Sequence, residues 1–285
     1  MKLSDSEFTD LAEFILKVCG ITIPFTKKYL IEQRLEPVVA DRECTSYGDY
    51  YQKLVGNRFY GGDKELIEAI TTNETSFFRD IHPFDALRDE ILPSLIFRLK
   101  EQKYKHFSAA NKIKIWSAAS SYGQEIYSIA MTIDQVIESP KIKNVTLNDF
   151  SILGTDISNE VISFAKNAVY SKLEVSRGLS DRFRNEYFTE VAEGWSIVDA
   201  LKKIAEFRLL NLMNSFTVLG SFDIIFCRNV LIYFDIEARG KIIKQFHSML
   251  PDDGYLILGS SENLYGVGSE FKSERIGNSV VYRKQ

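Results

Sequence analysis

The chain has 285 residues, 45% of them hydrophobic and 26% charged, which fits one large globular domain or two modest ones and excludes a disordered chain or a stapled mini-protein. Lys and Arg number 35 against 39 Asp and Glu, a formal net charge of −4, and that balance excludes a general nucleic-acid binder, which carries a basic excess. Cys19, Cys44 and Cys227 lack metal or redox spacing, His82, His106 and His247 are scattered, and no apolar stretch approaches membrane-spanning length, so we expect reduced thiols, no metal, no membrane insertion and a cytoplasmic location.

Ser4-Asp5-Ser6-Glu7 fits a capping box, and Phe8, Leu11, Phe14, Ile15 and Val18 then recur at helical spacing until Gly20 stops the run. Further periodic stretches run from Lys27 to Val39, Tyr47 to Leu54 and Asp63 to Ile70, so residues 1–75 are predicted to form an all-helical domain. The texture changes after Pro93. Strand-like Lys112–Trp116, helical Gln124–Glu138, β-rich Phe150–Asp156, a Ser158-capped helix to Ala168, apolar Phe222–Cys227, a helix over Asp235–Leu250 and apolar Tyr255–Gly259 follow in turn. Such alternation predicts a parallel sheet wrapped by helices over residues 76–285, with Ser279–Tyr282 pairing antiparallel to Tyr255–Gly259. Residues of about 178–205, with Tyr187, Phe188 and Trp195 around Gly194, interrupt the rhythm as a small hairpin insertion.

In parallel sheets of this kind ligands sit beyond the carboxyl ends of the strands. Asp156 falls at the tip of the second strand, where a carboxylate accepts both hydrogen bonds of a ribose diol; a capping role is the alternative, but Ser158 is the better cap for the next helix. The first loop, Ser120-Ser121-Tyr122-Gly123-Gln124-Glu125, holds one glycine and serves a pyrophosphate poorly. Glu125 there repels phosphate and suits an ammonium or sulfonium, as in S-adenosylmethionine, although a first-turn glutamate also simply complements the helix dipole. Ala119-Ser120-Ser121-Tyr122-Gly123 also has the look of a relaxed nucleophile elbow. That would make Ser121 a hydrolase nucleophile with His247 as its base, but His247 falls inside a helical pattern. Thr71–Arg79, at the seam of the two domains, reads from composition either as an interdomain plug or as part of a site. Val230–Phe234 reads as core, whereas Arg228 and Asn229 before it make sense facing a ligand.

Asn73-Glu74-Thr75-Ser76-Phe77-Phe78-Arg79, Trp116-Ser117-Ala118-Ala119 with Gly123 and Glu125–Ala130, Gly154-Thr155-Asp156-Ile157-Ser158, and Phe222-Asp223 through Cys227-Arg228-Asn229-Val230-Leu231-Ile232-Tyr233-Phe234 together resemble the CheR family, chemotaxis methyltransferases that esterify chemoreceptor glutamates. Gly254-Tyr255-Leu256 and Gly259-Ser260-Ser261-Glu262 extend the match, which spans nearly the whole chain in order. The resemblance implies a Rossmann-like S-adenosylmethionine-dependent methyltransferase sheet, an N-terminal helical domain and a small inserted antiparallel β-subdomain. It implies cofactor contacts at Asn73, Thr75, Arg79, Glu125, Asp156, Asn211, Leu212, Arg228 and Asn229, with Arg79 and Tyr233 orienting the reacting groups. As partners it implies the cytoplasmic methylation helices of chemoreceptors. In some members the β-subdomain also docks a peptide tether at the receptor's C-terminus; the short Ala192–Trp195 turn with its one glycine weighs against a tether here.

Ser120, Tyr122, Gln124 and Ile126 stand where the family usually has Cys, Thr, Glu and Pro, and Tyr122 is expected to narrow the cofactor pocket. Residues 1–75 carry 9 basic and 13 acidic side chains, 9 − 13 = −4, so the basic surface that members use to meet the receptor is reduced here to Lys27, Lys28, Arg34 and Arg42. A non-catalytic sensor of S-adenosylmethionine is the third alternative. No exposed apolar heptad or long edge strand calls for a partner copy, and a monomer is expected.

Overall fold

A computed structural model of the chain describes residues 1–106 and 112–285; the side chains of residues 102–106, His106 among them, lie outside that description. The first helix, α1 (Asp5–Cys19), begins as its capping box demands: the Ser4 hydroxyl accepts the Glu7 N–H while the Glu7 carboxylate accepts the Ser4 N–H at 2.9 Å. It ends on Gly20 at φ 75°, where a Cβ would strike the Met213 and Phe234 side chains. That glycine lets α1 close against the sheet domain. The helices α2 (Lys28–Asp41), α3 (Tyr47–Val55) and α4 (Gly62–Ile70) follow, and all four bury one apolar stripe around Leu11, Ile15, Ile31, Leu35, Tyr47, Tyr50 and Leu66.

The change from helices to alternating strands does come after Pro93, although the proline itself lies inside a helical run. A short helix α5 (His82–Ala86) runs through a π-turn at Leu87–Ile91 into α6 (Leu92–His106). A proline ring collides with the carbonyl four residues back in a regular helix. Here the Leu92 N–H reaches back five residues to the Leu87 carbonyl, and this wider turn accommodates Pro93 within one helical run.

The remaining elements are β1 (Ile113–Ala118), α7 (Gln124–Ile137), β2 (Phe150–Asp156), α8 (Asn159–Asn167), β3 (Val169–Tyr170), α9 (Lys172–Ser176), α10 (Asp181–Tyr187), β4 (Phe188–Val191), β5 (Gly194–Ile197), α11 (Asp199–Lys202), β6 (Ala205–Leu209), β7 (Ile224–Cys227), α12 (Ile236–Met249), β8 (Tyr255–Leu258), β9 (Phe271–Ile276) and β10 (Ser279–Lys284). Seven strands form one sheet in the order β6-β2-β1-β7-β8-β10-β9. β1 pairs parallel with β2 and β7, and β7 with β8, whereas β10 lies antiparallel to β8 with Val281 opposite Ile257. Helices cover both faces. On one, Trp116 packs against Phe216, Phe222 and Phe246 at ring separations of 5.2–5.4 Å and donates its indole N–H to the Thr155 hydroxyl.

β9 carries no apolar alternation that the sequence could betray, whereas Ala205, Phe207 and Leu209 of β6 alternate with Glu206 and Arg208, a pattern the sequence analysis passed over. Both are edge strands: in β6 Phe207 is its buried residue, and in β9 only the end residues Phe271 and Ile276 are buried. The insertion also differs from the expected hairpin over about 178–205. That window opens on the helix α10, and β4–β5 gains a third strand upstream of it, β3, paired antiparallel to β5 in a separate sheet of order β3-β5-β4. Two residues are too few to show a period. Gly178, at φ 93°, seats this insertion against the seam loop: a Cβ there would lie 2.0 Å from the Phe77 carbonyl oxygen. Gly178→Ala is therefore expected to cost about 1–3 kcal/mol of unfolding free energy, read by denaturant titration.

Among the described residues no helix is long and apolar enough to cross a membrane. All three cysteines are buried and unpaired.

Candidate active site

The parallel strands β1, β2, β6 and β7 end side by side, and the loops leaving them form the floor of an open cleft. The seam segment, residues 70–79, and residues from the end of α1 and from α2, among them Cys19, Ile21, Thr22 and Arg34, make the opposite wall. The structure gathers all ten residues singled out from the sequence around this one cleft: Asn73, Thr75, Arg79, Glu125, Asp156, Asn211, Leu212, Arg228, Asn229 and Tyr233.

Asp156 ends β2 and is almost fully buried. Its two carboxylate oxygens accept the backbone N–H groups of Ser121 at 2.9 Å and Ser158 at 3.1 Å, which holds the group in place and leaves lone pairs on both oxygens. Burial pushes its carboxyl above the ordinary carboxylate value, opposed by those backbone hydrogen bonds. The capping role does fall to Ser158, whose hydroxyl accepts the Val161 N–H.

Arg228, at the end of β7, is the centre of a buried network. Its side chain is 2% exposed and donates to Glu125 at 2.8 Å, Asp80 at 2.9 Å and the Arg79 carbonyl at 2.8 Å; the Ser117 hydroxyl completes Glu125. One guanidinium between two carboxylates leaves the trio with a formal charge of +1 − 2 = −1. Arg228 thus holds the site together from behind, and its charge is already engaged by protein groups. Its Nε and the nearby Ser120 hydroxyl are buried without a hydrogen-bond partner, although both residues line the cleft. Buried polar atoms of this kind are what a bound polar ligand completes.

The other residues around the cleft have partners of their own. Both side-chain polar atoms of Asn211 are used in stitching: Nδ2 donates to the Val18 carbonyl at 2.7 Å, and Oδ1 accepts the Met213 N–H at 2.9 Å. Leu212 is buried in the sheet core beside it, and Thr75 is half-buried in the wall. Asn73 accepts the Ser121 hydroxyl on its backbone carbonyl at 2.8 Å. Arg79 donates to the Glu74 carbonyl at 2.8 Å, and among the described residues it makes no ion pair. Tyr233 is half-buried at the cleft wall, and its carbonyl accepts the Thr22 N–H at 2.9 Å. The Tyr122 ring packs on Phe164, with centroids 5.0 Å apart, and its hydroxyl is hydrogen-bonded with Asn73 at the cleft wall, although Tyr122 is not itself among the cleft's lining residues.

Two residues that organise the site had no role assigned in the sequence analysis. Asp80 anchors Arg228 from a left-handed backbone position at φ 60°. Glu262 accepts the backbone N–H groups of Asn229 at 2.7 Å, Val230 at 2.9 Å and Gly259 at 2.8 Å, which fixes the loop after β7 and holds Asn229 at φ 59°. The signal for Glu262 was its place in Gly259-Ser260-Ser261-Glu262; Asp80 had none. The hydrolase alternative loses its base, because His247 lies on α12 with its ring against Phe271 and is not among the cleft's lining residues.

Counted along the main sheet alone, the strands run in the order 3-2-1-4-5-7-6 with the seventh reversed, and with an acid at the tip of the second this defines a Rossmann-like S-adenosylmethionine-dependent methyltransferase fold. Residues 73–279 match the family described as CheR methyltransferase, SAM binding domain, and residues 6–71 match CheR methyltransferase, all-alpha domain. The chain belongs to the CheR methyltransferase family. It is 41% identical to the chemotaxis protein methyltransferase of Vibrio parahaemolyticus over 99% of this chain and 98% of that one. It is 35% identical to chemotaxis protein methyltransferase 1 of Pseudomonas aeruginosa over 99% of each. Among solved structures, magnesium protoporphyrin IX methyltransferase of Synechocystis PCC 6803 is 14% identical over 75% of this chain and 87% of that one, with a TM-score of 0.36, too distant to place individual residues.

Proposed function

We propose that this member of the family transfers a methyl group from S-adenosylmethionine to glutamate side chains of chemoreceptors, forming methyl esters in chemotactic adaptation. The coarser part, S-adenosylmethionine-dependent methylation in chemotaxis, follows from family membership and the near full-length relatives. The observation that carries the finer part is the pairing, across one cleft, of the buried Asp156 carboxylate with an arginine, Arg79, that makes no ion pair among the described residues.

The residues present fit the cofactor. Asp156 would accept the two ribose hydroxyls on lone pairs its backbone donors leave free. The residual negative charge of the Arg228–Glu125–Asp80 trio would attract the ammonium group, and the partnerless Ser120 hydroxyl and Arg228 Nε are polar atoms a ligand would satisfy. Bound there, S-adenosylmethionine supplies an already activated methyl group. A glutamate acceptor with its ordinary pKa near 4.3 is ionised at pH 7, so no general base is required of the protein. What the chain has to do is orient and desolvate. Arg79 would hold a carboxylate, of the donor or the acceptor, and Tyr233 would line the path between them; positioning of this kind supplies on the order of 7–11 kcal/mol.

Incubation with donor tritiated in the methyl group and receptor cytoplasmic fragments tests this directly. Base-labile label on glutamate is expected; donor binding with no label transferred would favour the sensor. Arg79→Ala is expected to lower kcat/KM for transfer by about 10- to 100-fold, the loss of one charge-assisted hydrogen bond. An Arg79→Ala protein with unchanged donor affinity and turnover would remove Arg79 from the site.

A further inference from the structure

Two shallower hollows continue the cleft away from the strand tips. The first shares Glu74, Thr75 and Arg79 with the cleft and is bounded on its far side by Arg177 and Gly178 of the insertion. The second adjoins it at Phe78 and Gly178 and is mainly apolar, with Ile81 45% exposed at its edge and Phe183 5.0 Å from Phe78. Across the first hollow Arg177 Nη2 lies 3.0 Å from Glu74 Oε1, and the two side chains are 63% and 64% exposed. An ion pair that open to water is held weakly and exchanges readily.

We propose that this groove is the docking path of the methyl-accepting segment, and that the incoming glutamate carboxylate takes Arg177 from Glu74 on its way to Arg79. The inference rests on the glutamate methyl ester reading above and adds how the acceptor is received. Glu74 carries the same chemical group as the acceptor, so the pair shows Arg177 holding a glutamate carboxylate at the entrance to the cleft. Arg79, next along the groove, has its guanidinium bonded to a backbone carbonyl and to no carboxylate among the described residues. The groove therefore offers an anionic side chain two successive guanidinium groups. The apolar hollow beyond them fits an aliphatic or aromatic side chain on the same segment. The occupant is thus an acidic segment with an apolar neighbour, continuous with the substrate that reaches the cleft.

The test is steady-state transfer to a receptor cytoplasmic fragment at varied fragment concentration, with affinity for S-adenosylhomocysteine measured separately by calorimetry. Arg177→Gln is expected to raise the KM for the fragment by about two- to fivefold with product affinity unmoved, as for a partly exposed charge pair. Glu74→Gln removes the internal competitor and is expected to lower that KM. Ile81→Ser is expected to raise it by about threefold through lost apolar contact. Opposite shifts from Arg177→Gln and Glu74→Gln support the groove, because a merely structural role for this exposed pair would move both variants the same way. Shifts in one direction, or both within experimental error of the wild type, overturn it. A wild-type protein that forms no methyl ester on the fragment overturns the parent reading instead.

Discussion

Asp156→Ala is expected to weaken binding of S-adenosylhomocysteine by about 100-fold or more, since two charge-assisted hydrogen bonds to the ribose would be lost at once. The variant should still fold. At neutral pH the wild-type carboxylate is buried at a desolvation cost, and burial is the first cause of its raised pKa. Two opposite pH trends follow. A carboxyl raised in the folded state binds its proton more tightly than in the unfolded chain, so its contribution to stability is full below the ordinary carboxylate value and is lost as pH rises through the raised one. Ligand affinity runs the other way and falls as pH drops through that raised value, because the protonated group accepts fewer hydrogen bonds. Calorimetry across acidic pH, with a thermal melt of the ligand-free protein alongside, reads both trends, and Asp156→Ala should abolish both.

Arg228→Ala is expected to destabilise the fold by about 3–5 kcal/mol, because it strands Glu125 and Asp80 as uncompensated charges behind the cleft. In Tm that corresponds to a loss on the order of 10 °C. Arg228→Lys should recover less than half of it, since an ammonium cannot span two carboxylates and the Arg79 carbonyl as the planar fork does. An Arg228→Ala protein melting within a degree or two of the wild type would show that the trio carries no net stability.

Local chemistry was legible in the sequence wherever it acts over a few residues. The Ser4–Glu7 box and Gly20 bracket α1 because both ends of that helix are satisfied by neighbours in the chain. Asp156 stood out because it falls at the tip of the second strand, where the parallel-sheet rule places ligands. The edge strand β9 was invisible for the opposite reason, since a strand buried only at its two ends has no pattern to read; the alternation of Ala205, Phe207 and Leu209 with Glu206 and Arg208 in β6 was present and went unread. The helical run on either side of Pro93 went unread because a π-turn is set by how a helix relieves a local clash, which no periodicity records.

At the site, residue types were legible and their partners were not. Arg228, read as facing a ligand, and Asn211, taken from the resemblance, both line the cleft, but the sequence did not show that the guanidinium is held by Glu125 and Asp80 or that the amide joins the end of α1 to the loop after β6. Those partners lie 103, 148 and 193 residues away along the chain. Glu262 was quoted in the resemblance, but its role was hidden: it acts on backbone N–H groups, which leave no mark in side-chain chemistry. Lys28 and Arg42, two of the four basic residues considered for receptor contact, are engaged by Asp5 and Glu65, and Arg34 donates to the carbonyls of Ile70 and Thr71.

The most direct measurement is a crystal structure of the protein soaked with S-adenosylhomocysteine. Both ribose hydroxyls should donate to Asp156, with the amino group on the side of Glu125 and the sulfur turned toward Tyr233. Density for the nucleoside anywhere else, or a cleft still empty at saturating ligand, would contradict the assignment.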